Sequence, residues 1–308
     1  MDTSLPYHDF GAWLRQLFPW KVQKISVDGG FSCPNRDGTI ASGGCTFCDN
    51  RTFNPSYCRQ SDSIRTQLEE GKAFFSRKYP DMRYLAYFQA YSNTYAPLDV
   101  LRRRYEEALS VEGVVGLVIG TRPDCIDAPT LDYLESLNRQ TFLLVEYGVE
   151  SLSNNVLQAI NRGHTAEVSK EAIYKTAERG ILTGAHMILG LPGESTDDYL
   201  QQATELSSLP LHLLKLHQLQ IVKGTKMAQQ YAEKPFPLFE PNEYICLIAN
   251  YLERLRADIV VDRFVSQSPP ELVLAPKWGL KNHEFSDRLR QYMQQRGMYQ
   301  GRMASSGT

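Results

Sequence analysis

Short strand-like runs and longer helical patterns alternate along most of this chain of 308 residues. The run VVGLVI at 114–119 is apolar throughout, which is typical of a strand buried on both faces of a sheet. The strand-like runs lie at 24–28, 83–90, 114–120, 141–148, 181–189 and 211–221, with a further short run at 259–264. The helical patterns lie at 63–79, 97–110, 129–138, 153–160, 165–179, 196–206 and 243–257. Six strands that are each followed by a helix predict a parallel sheet with helical crossovers.

This order of elements predicts an α/β fold, a partial (βα)6 TIM-like barrel over residues 23–264. We expect an N-terminal segment at 1–22 before the barrel and a short C-terminal extension at 265–308 after it. In barrels of this kind the functional side chains lie at the C-terminal ends of the strands. The loops that follow the strands are polar or rich in glycine, and they lie at 29–48, 89–95, 120–124, 148–151, 190–194 and 218–225.

Charge and cysteine content narrow the cellular context. The formal net charge of −2 provides no global positive field for nucleic acid, although a local basic patch stays compatible with it. No apolar run reaches the ~18 residues of a membrane helix, and residues 1–19 lack the apolar core of a signal peptide. We therefore expect a cytoplasmic protein with no membrane partner. Six cysteines in such a chain favour metal binding over disulfides, with Cys125 and Cys246 predicted to be ordinary buried thiols.

Three cysteines share the loop after the first strand, with the spacing C-x11-C-x2-C at Cys33, Cys45 and Cys48. Two cysteines that are two residues apart can hold one metal centre. A structural zinc site needs four ligands, and Cys58 is available as the fourth. An iron–sulfur cluster held by only three cysteines leaves one iron free for another ligand. The spacing alone leaves both interpretations open.

The motifs of this loop and others further along the chain occur in a fixed order, and together they carry a resemblance. They are GFSCPNRDG, GGCTFC, YFQAY, GTRPD, YGVES, NRGH, HMILGLPGE, KLHQLQIVKGT and RFVSQSPPELVLAP. With these segments the chain resembles radical-SAM enzymes, in particular the YtqA/YhcC type and, more distantly, the radical domain of the catalytic subunit of Elongator. The resemblance to the YtqA/YhcC type covers nearly the whole chain. The first cysteine gap departs from the C-x3-C-x2-C that is commonest in the superfamily and agrees with the Elongator-like branch.

The resemblance implies a partial barrel of the radical-SAM type and two cofactors. Cys33, Cys45 and Cys48 would hold a [4Fe-4S] cluster as its metal ligands and as catalytic residues. S-adenosylmethionine (SAM) would chelate the open iron, and one electron would cleave it to methionine and a 5′-deoxyadenosyl radical. An electron donor such as flavodoxin or ferredoxin is the implied partner. The alternative from another class is a zinc-stabilised nucleic-acid-binding protein without redox chemistry.

The same resemblance implies a set of SAM contacts. The residues assigned in this way are Phe47, Gln89, Ser92, Glu150, Arg162, His186, Gly190 and Leu191. Phe47, Gly190 and Leu191 are expected beside the adenine, and Gln89 and Ser92 near the amino group. Glu150 and His186 are expected near the ribose and Arg162 at the carboxylate, although a lone strand histidine such as His186 is equally compatible with a satisfied core residue. We expect Glu150 and Arg162 to be exposed loop charges whose removal costs little stability.

The sequence indicates less about which residues contact the substrate. Residues of the GTRPD motif and of the sixth strand are expected to border it, namely Arg122, Asp124, His217, Gln220 and Lys223. Arg122 is equally compatible with a structural bridge to Asp124, and the run of arginines at 102–104 indicates a solvated helix face.

The Elongator-like motifs indicate a tRNA wobble uridine with a C5 substituent as the substrate. The Elongator subunit has an acetyltransferase-like domain after its radical domain, and a chain that ends at residue 308 leaves no room for one, so acyl transfer is not expected. The alternative substrate is a small metabolite such as a porphyrin precursor. The basic residues that would have to gather into a patch for tRNA are Arg122, Arg162, Lys223, Lys226, Arg263, Lys277, Lys281, Arg288 and Arg290. The sequence does not indicate an oligomeric state.

Overall fold

The fold was obtained as a computed structural model, which describes residues 5–52, 54–76 and 81–304. Its strands are β1 (Val22–Val27), β2 (Arg83–Phe88), β3 (Val114–Thr121), β4 (Phe142–Glu150), β5 (Leu182–Leu189), β6 (Leu213–Gln218), β7 (Ile221–Val222), β8 (Val260–Arg263) and β9 (Val273–Ala275). Seven of them form one parallel sheet in the order β1-β2-β3-β4-β5-β6-β8, while β7 and β9 pair antiparallel. The sheet is curled into a partial barrel, which confirms the predicted fold class.

Helices cover the outer face of this sheet and one end of the barrel. They are α1 (Phe10–Leu17), α2 (Ile64–Ser76), α3 (Leu98–Leu109), α4 (Ala128–Asn138), α5 (Asn154–Ala159), α6 (Ala166–Ala177), α7 (Thr196–Ser208), α8 (Lys226–Glu233), α9 (Pro241–Arg254) and α10 (Asn282–Gln295). The strands and helices predicted from periodicity are all present, with ends shifted by a few residues. The end of the predicted helix at 77–79 lies outside the described residues.

The structure also has elements that the sequence analysis did not predict. The predicted strand at 211–221 is two elements, β6 and β7, because β7 turns away to pair with β9. Helix α10 lies in the predicted C-terminal extension and buries Phe285, Leu289 and Met293 in the main core. Each of these residues is four positions after the one before it, which places all three on one helical face. The helical period of these apolar residues could therefore have been recognised in the sequence, although the rest of the helix is strongly polar.

Helix α1 determines what lies inside the barrel. Its Phe10 and Leu14 pack among Leu85, Leu144 and Leu213, which come from three strands and are buried. Asp9 caps the helix by accepting from the backbone N–H of Ala12 at 2.9 Å. Side chains that point inward recur every second residue along a strand. The layer above this apolar plug is therefore formed by the residues two positions further along each strand.

Charged side chains fill that next layer. Lys24 on β1 and Asp262 on β8 belong to the two edge strands of the sheet, which do not pair with each other. Lys24 Nζ lies 3.0 Å from Asp262 Oδ2. An ion pair between side chains thus bridges the opening that the backbone leaves in the barrel.

Two sequence expectations about single residues are wrong. Cys246 is exposed on α9, because it lies on the side of that helix away from the core, and Cys125 is only half-buried. Ser153 stands at the N-cap of α5. Its side chain makes no capping hydrogen bond. Among the described residues, no helix is both long and apolar enough to cross a membrane.

Candidate functional site

A cavity of about 170 Å³ opens at the C-terminal ends of the barrel strands. Cys33, Cys45 and Cys48 line it together, as the sequence analysis expected of the loop after β1. The strand ends contribute polar side chains from almost every side of the barrel. Those that line the cavity are Gln89, Arg122, Glu146, Glu150, His186, His217, Gln218 and Gln220.

Turns and backbone contacts hold the cysteine loop in place. The carbonyl of Cys33 accepts from the backbone N–H groups of Arg36 and Asp37, at 2.8 and 3.1 Å. The backbone N–H of Cys48 donates to the carbonyl of Cys45 at 3.1 Å, which closes a turn between the paired cysteines. Gly43 and Gly44 have φ of 81° and 80°, a region that favours glycine, and they let the chain double back before Cys45.

The segment that follows α5 supports this loop from below. Asn161 donates from Nδ2 to the carbonyl of Gly44 at 2.9 Å, and the Asn35 amide donates to the carbonyl of Asn161. Thr46 N–H donates to the carbonyl of Ile160 at 2.9 Å. Asn161 itself has φ of 55°, a left-handed conformation that asparagine tolerates. The NRGH segment is therefore a structural partner of the cysteine loop.

The thiol environment differs between the paired cysteines. Burial raises the pKa of Cys48 to about 11, and the nearby Cys45 adds to this rise while Arg36 opposes it. Cys45 instead receives two hydrogen-bond donors. Asn35 Nδ2 and Arg162 Nη1 each lie 3.5 Å from Cys45 Sγ. A thiolate at Cys45 would thus have one amide and one cation at its sulfur.

Arg162 is buried and the side chain of Glu150 is mostly so, and the expectation that they are exposed is wrong. Their side chains are 7% and 12% exposed, and Arg162 Nη2 lies 3.4 Å from Glu150 Oε1. The reason is an irregularity of β4 between Gly148 and Glu150, where Glu150 takes a φ of 69°. Burial raises the pKa of Glu150, which the charges of Arg162 and Arg122 oppose. Removing either partner would leave a buried charge without its counter-charge.

Arg122 forms the predicted bridge to Asp124, and its place on the substrate side stays a prediction. Its Nε and Nη2 bind the carboxylate of Asp124 at 2.8 and 2.7 Å, and its Nη2 also donates to the carbonyl of Arg162 at 2.8 Å. Burial raises the pKa of Asp124, but the hydrogen bonds and charge of Arg122 bring it below its usual value. Arg122 also lines the cavity, whereas Asp124 does not.

Glu146 is the functional candidate that the sequence analysis missed. This β4 residue is fully buried beneath the cavity. Its carboxylate accepts from Lys24 at 3.0 Å, from the Tyr87 hydroxyl at 2.8 Å and from Lys215 at 2.8 Å. Burial raises the Glu146 pKa, yet the two lysines hold it well below its ordinary value.

A sequence signal for this cluster did exist. Glu146, Lys215 and Asp262 each interrupt an apolar strand run, within LLVEYG, LLKLHQ and VVDR. Burial lowers the pKa of Lys215 to about 8, although Glu146 opposes the change. A charge inside a strand that is buried on both faces must have a partner. The partner cannot be identified from the sequence alone.

His186 connects this cluster to the cavity. Its Nε2 lies 2.7 Å from Glu146 Oε2, and its ring is 5.7 Å from the ring of His217. Burial and the charge of Lys215 lower the pKa of His186 to about 4. His217 pairs through Nδ1 with Ser266 Oγ at 2.8 Å, and burial holds its pKa well below its usual value. Both imidazoles are therefore neutral near pH 7.

The remaining predicted cofactor contacts fall into two groups. Phe47 and Gln89 line the cavity, but Ser92 does not, since it is buried with its Oγ 3.0 Å from Thr121 Oγ1. Gly190 and Leu191 border a different cavity, of about 850 Å³, between the turn after β5, α7 and α9. The backbone N–H of Gly190 donates to the Tyr199 hydroxyl at 2.8 Å.

Cys58 does not join the other three cysteines at the cavity. It is buried, and its Sγ donates to Gln67 Oε1 at 3.2 Å. It does not line the cavity. Within the described ranges, no group of three or more His, Cys, Asp or Glu side chains is arranged to hold a single metal ion. Three thiols around one cavity, with N–H donors at one sulfur, fit the predicted cluster better than a four-ligand zinc site.

Family models match most of this chain. The family model of the Radical SAM superfamily matches residues 36–205, and that of the Radical_SAM C-terminal domain matches residues 211–295. The YtqA protein of Bacillus subtilis (strain 168) is 36% identical over 301 residues, which cover 98% of this chain and 94% of that protein.

More distant similarity extends to proteins of tRNA modification. The tRNA uridine(34) acetyltransferase of Methanocaldococcus infernus is 24% identical over 187 residues, which cover 60% of this chain and 34% of that enzyme. The solved structure of archaeal Methanocaldococcus infernus Elp3 with an N-terminal deletion matches with a TM-score of 0.67 at 16% identity. That match covers 91% of this chain and 64% of the Elp3 chain, and it supports the fold alone.

Proposed function

Because the chain belongs to the radical SAM superfamily, and within it to the YtqA/YhcC type, we propose that it cleaves SAM reductively and acts on the C5 side chain of a tRNA wobble uridine. Membership of the superfamily confirms the two expected cofactors, a [4Fe-4S] cluster and SAM. The alternative of a zinc protein without redox chemistry is thereby set aside.

The residues around the cavity suit these cofactors. Cys33, Cys45 and Cys48 would hold the cluster, which, when bound and reduced, supplies the electron that splits SAM into methionine and a 5′-deoxyadenosyl radical. Arg162 and Asn35 direct N–H groups at Cys45 Sγ. The apolar plug of Phe10 and Leu14 closes the opposite end of the barrel, which limits the access of water to the reacting atoms.

The observation that carries the tRNA part of the proposal is the similarity to the tRNA uridine(34) acetyltransferase. It spans 60% of this chain. A C5 side chain on uridine also offers carbon-bound hydrogens that a radical can abstract. The base would have to be unstacked to reach a cavity at the strand ends.

A basic rim at the cavity mouth adds support from the structure. The guanidinium of Arg51 lies against Gly224, and Lys223 and Lys226 flank that glycine. All three cationic residues are exposed. Their neighbours Thr52 and Val222 line the cavity. Such a rim can contact phosphates next to an extruded base, although the net charge of the chain is −2.

An electron donor of the flavodoxin or ferredoxin type belongs to the same proposal. The cavity holds the cysteines at the rim of the barrel, where a small redox protein could approach. In the part of the chain that the structure describes, Cys33 and Cys48 are partly exposed.

Nucleoside mass spectrometry of tRNA tests the proposed function. Total tRNA is compared between cells with the gene, cells without it, and deletion cells that express either Cys45→Ala or Cys246→Ala. We expect one modified uridine to change mass in the deletion strain, and Cys246→Ala but not Cys45→Ala to restore it. Identical nucleoside profiles in all four strains would contradict a role in tRNA modification.

A further inference from the structure

The floor of the cavity is built on a buried carboxylate that no role has so far explained. Glu146 lines the same cavity as the cysteines and accepts four hydrogen bonds, from Lys24, Tyr87, Lys215 and His186. Three of these donors converge on Oε2. A carboxylate with two lysines at hydrogen-bond distance is ionised, and an ionised carboxylate can only accept.

This arrangement determines which nitrogen of His186 carries the proton. Because the Glu146 carboxylate only accepts, His186 Nε2 must donate to it across the 2.7 Å contact. A neutral imidazole has one N–H, so its Nδ1 carries a lone pair. Nδ1 has no hydrogen-bond partner among the described residues, and His186 lines the cavity with 16% of its side chain exposed.

The surrounding charges keep the ring neutral. Lys215 and Arg263 both face His186 and disfavour a second proton on it, while Glu146 favours one. His217, at 5.7 Å between ring centroids, is the remaining titratable neighbour and is itself neutral. Two cations thus oppose one anion around this imidazole.

We propose that Glu146 is a positioning residue that fixes His186 as a hydrogen-bond acceptor, so that the cavity selects a ligand group that donates a hydrogen bond to Nδ1. The donor is a hydroxyl or an amine. Lys24 and Lys215 keep Glu146 ionised, and Asp262 balances the second lysine charge at 3.0 and 3.2 Å. The sequence analysis placed His186 near a ribose but assigned nothing to Glu146, Lys215 or Asp262.

Two ligands could supply this donor. One is a ribose hydroxyl of SAM. The other is the amine of a C5 aminomethyl-type uridine, and that assignment rests on the proposed function. A hydrogen bond of this kind contributes roughly a fivefold to tenfold gain in affinity.

The first test examines the tautomer and needs neither cofactor nor substrate. The protein is labelled with ¹⁵N-histidine, and His186→Gln identifies the His186 signals by their loss. We expect the ¹⁵N shifts of the wild type to show a protonated Nε2 and an unprotonated Nδ1 from pH 6 to pH 8. A proton on Nδ1, or a doubly protonated ring in that range, would overturn the proposal.

Matched variants separate positioning from folding. The double variant Glu146→Gln with Lys215→Met removes one charge of each sign, and a glutamine can donate or accept, so we expect a mixture of His186 tautomers. Tyr87→Phe removes another donor to the same carboxylate oxygen and is expected to leave the wild-type tautomer unchanged. If the double variant retains the wild-type tautomer, Glu146 does not position His186.

Binding measurements distinguish the two donors. The affinities of SAM, 2′-deoxy-SAM and 3′-deoxy-SAM are measured for the wild type and for His186→Phe. If a ribose hydroxyl is the donor, SAM binds fivefold to tenfold more weakly to the variant, and the corresponding deoxy analogue shows no such difference. If the amine is the donor, SAM affinity is unchanged and the affinity for tRNA with an aminomethyl-type uridine falls instead.

An unchanged affinity for both ligands would overturn the selection of a donor group. If such tRNA fails to bind even the wild type while the SAM arm behaves as described, the proposed function fails and this inference stands.

Discussion

Arg162 Nη1 lies 3.5 Å from Cys45 Sγ, so a guanidinium from beyond β4 donates to a predicted cluster ligand. The sequence resemblance assigned Arg162 to the carboxylate of SAM. In the structure its Nη2 is used within the protein, by Glu150 and by the carbonyl of Gly148, while its Nε has no hydrogen-bond partner among the described residues. Arg162 therefore contacts the sulfur of Cys45 directly, and its assignment to the carboxylate of SAM stays a prediction.

The contact between Arg162 and Cys45 predicts an effect on the cluster potential. Hydrogen bonds to a ligand sulfur stabilise the more negative, reduced cluster. We expect Arg162→Met to lower the reduction potential of the cluster by at least about 59 mV. For a one-electron couple, this shift lowers the ratio of reduced to oxidised cluster tenfold at a fixed solution potential. Redox titration followed by electron paramagnetic resonance measures it. Asn35→Ala should shift the potential in the same direction, and an unchanged or raised potential in both variants would refute the prediction.

The three-cysteine ligand set predicts the iron content of single variants. We expect most of the iron to be lost after anaerobic reconstitution in each of the variants Cys33→Ala, Cys45→Ala and Cys48→Ala. The reason is that all three cysteines line the same cavity. Cys58→Ala should retain it, since Cys58 bonds to Gln67 elsewhere. Cys246→Ala, on the exposed side of α9, is the matched control. Iron loss in the Cys58 variant comparable to the other three would defeat the three-ligand assignment.

The left-handed conformation of Glu150 predicts an unusual order of stabilities. Both Glu150→Ala and Glu150→Gly remove the partner of buried Arg162, and each should be destabilised by about 3 kcal/mol or more. At a φ of 69°, however, glycine is less strained than alanine. The glycine variant should therefore be more stable than the alanine variant by about 1 kcal/mol. Urea unfolding measures both, and an alanine variant as stable as the glycine variant would contradict this conformation.

The ion pair that bridges β1 and β8 predicts a pH-dependent contribution to stability. Burial raises the pKa of Asp262, but Lys24 and Lys215 lower it to about 2 overall. A carboxyl group with a lowered pKa stabilises the fold above its unfolded pKa, near 4, and this contribution is lost as the pH falls towards 2.

Asp262→Asn should thus cost about 2 kcal/mol at pH 7. The difference from the wild type should shrink between pH 4 and pH 2. Asp258→Asn, at an exposed carboxylate, is the control and should change stability by less than about 0.5 kcal/mol. A penalty for Asp262→Asn that stays constant down to pH 2 would show that Asp262 is not held by the lysines.

Local sequence patterns predicted those parts of the molecule that depend on local structure. The βα alternation predicted the parallel sheet, and the loop after β1 brought Cys33, Cys45 and Cys48 to one cavity. Both follow from strand polarity, because all parallel strands end at the same edge.

Features that depend on the register between distant strands could not be predicted. Lys24, Glu146, Lys215 and Asp262 span most of the chain, and they meet only because each points inward at the same height of the barrel. The position of Glu150 depends on one irregularity of β4, and no pattern of residues in the sequence predicts that irregularity. Gly190 faces a second cavity because the turn after β5 leads outward to α7.

Turnover with tRNA tests the central proposal most directly. Reconstituted, reduced enzyme is incubated with SAM and with tRNA that lacks only the final C5 modification steps, and 5′-deoxyadenosine and nucleoside masses are measured together. The account predicts that this tRNA stimulates 5′-deoxyadenosine formation and that the wobble uridine changes mass, with neither effect in Cys45→Ala. If the wild-type enzyme forms 5′-deoxyadenosine at a rate that tRNA does not change, and no uridine changes mass, the proposed substrate is wrong.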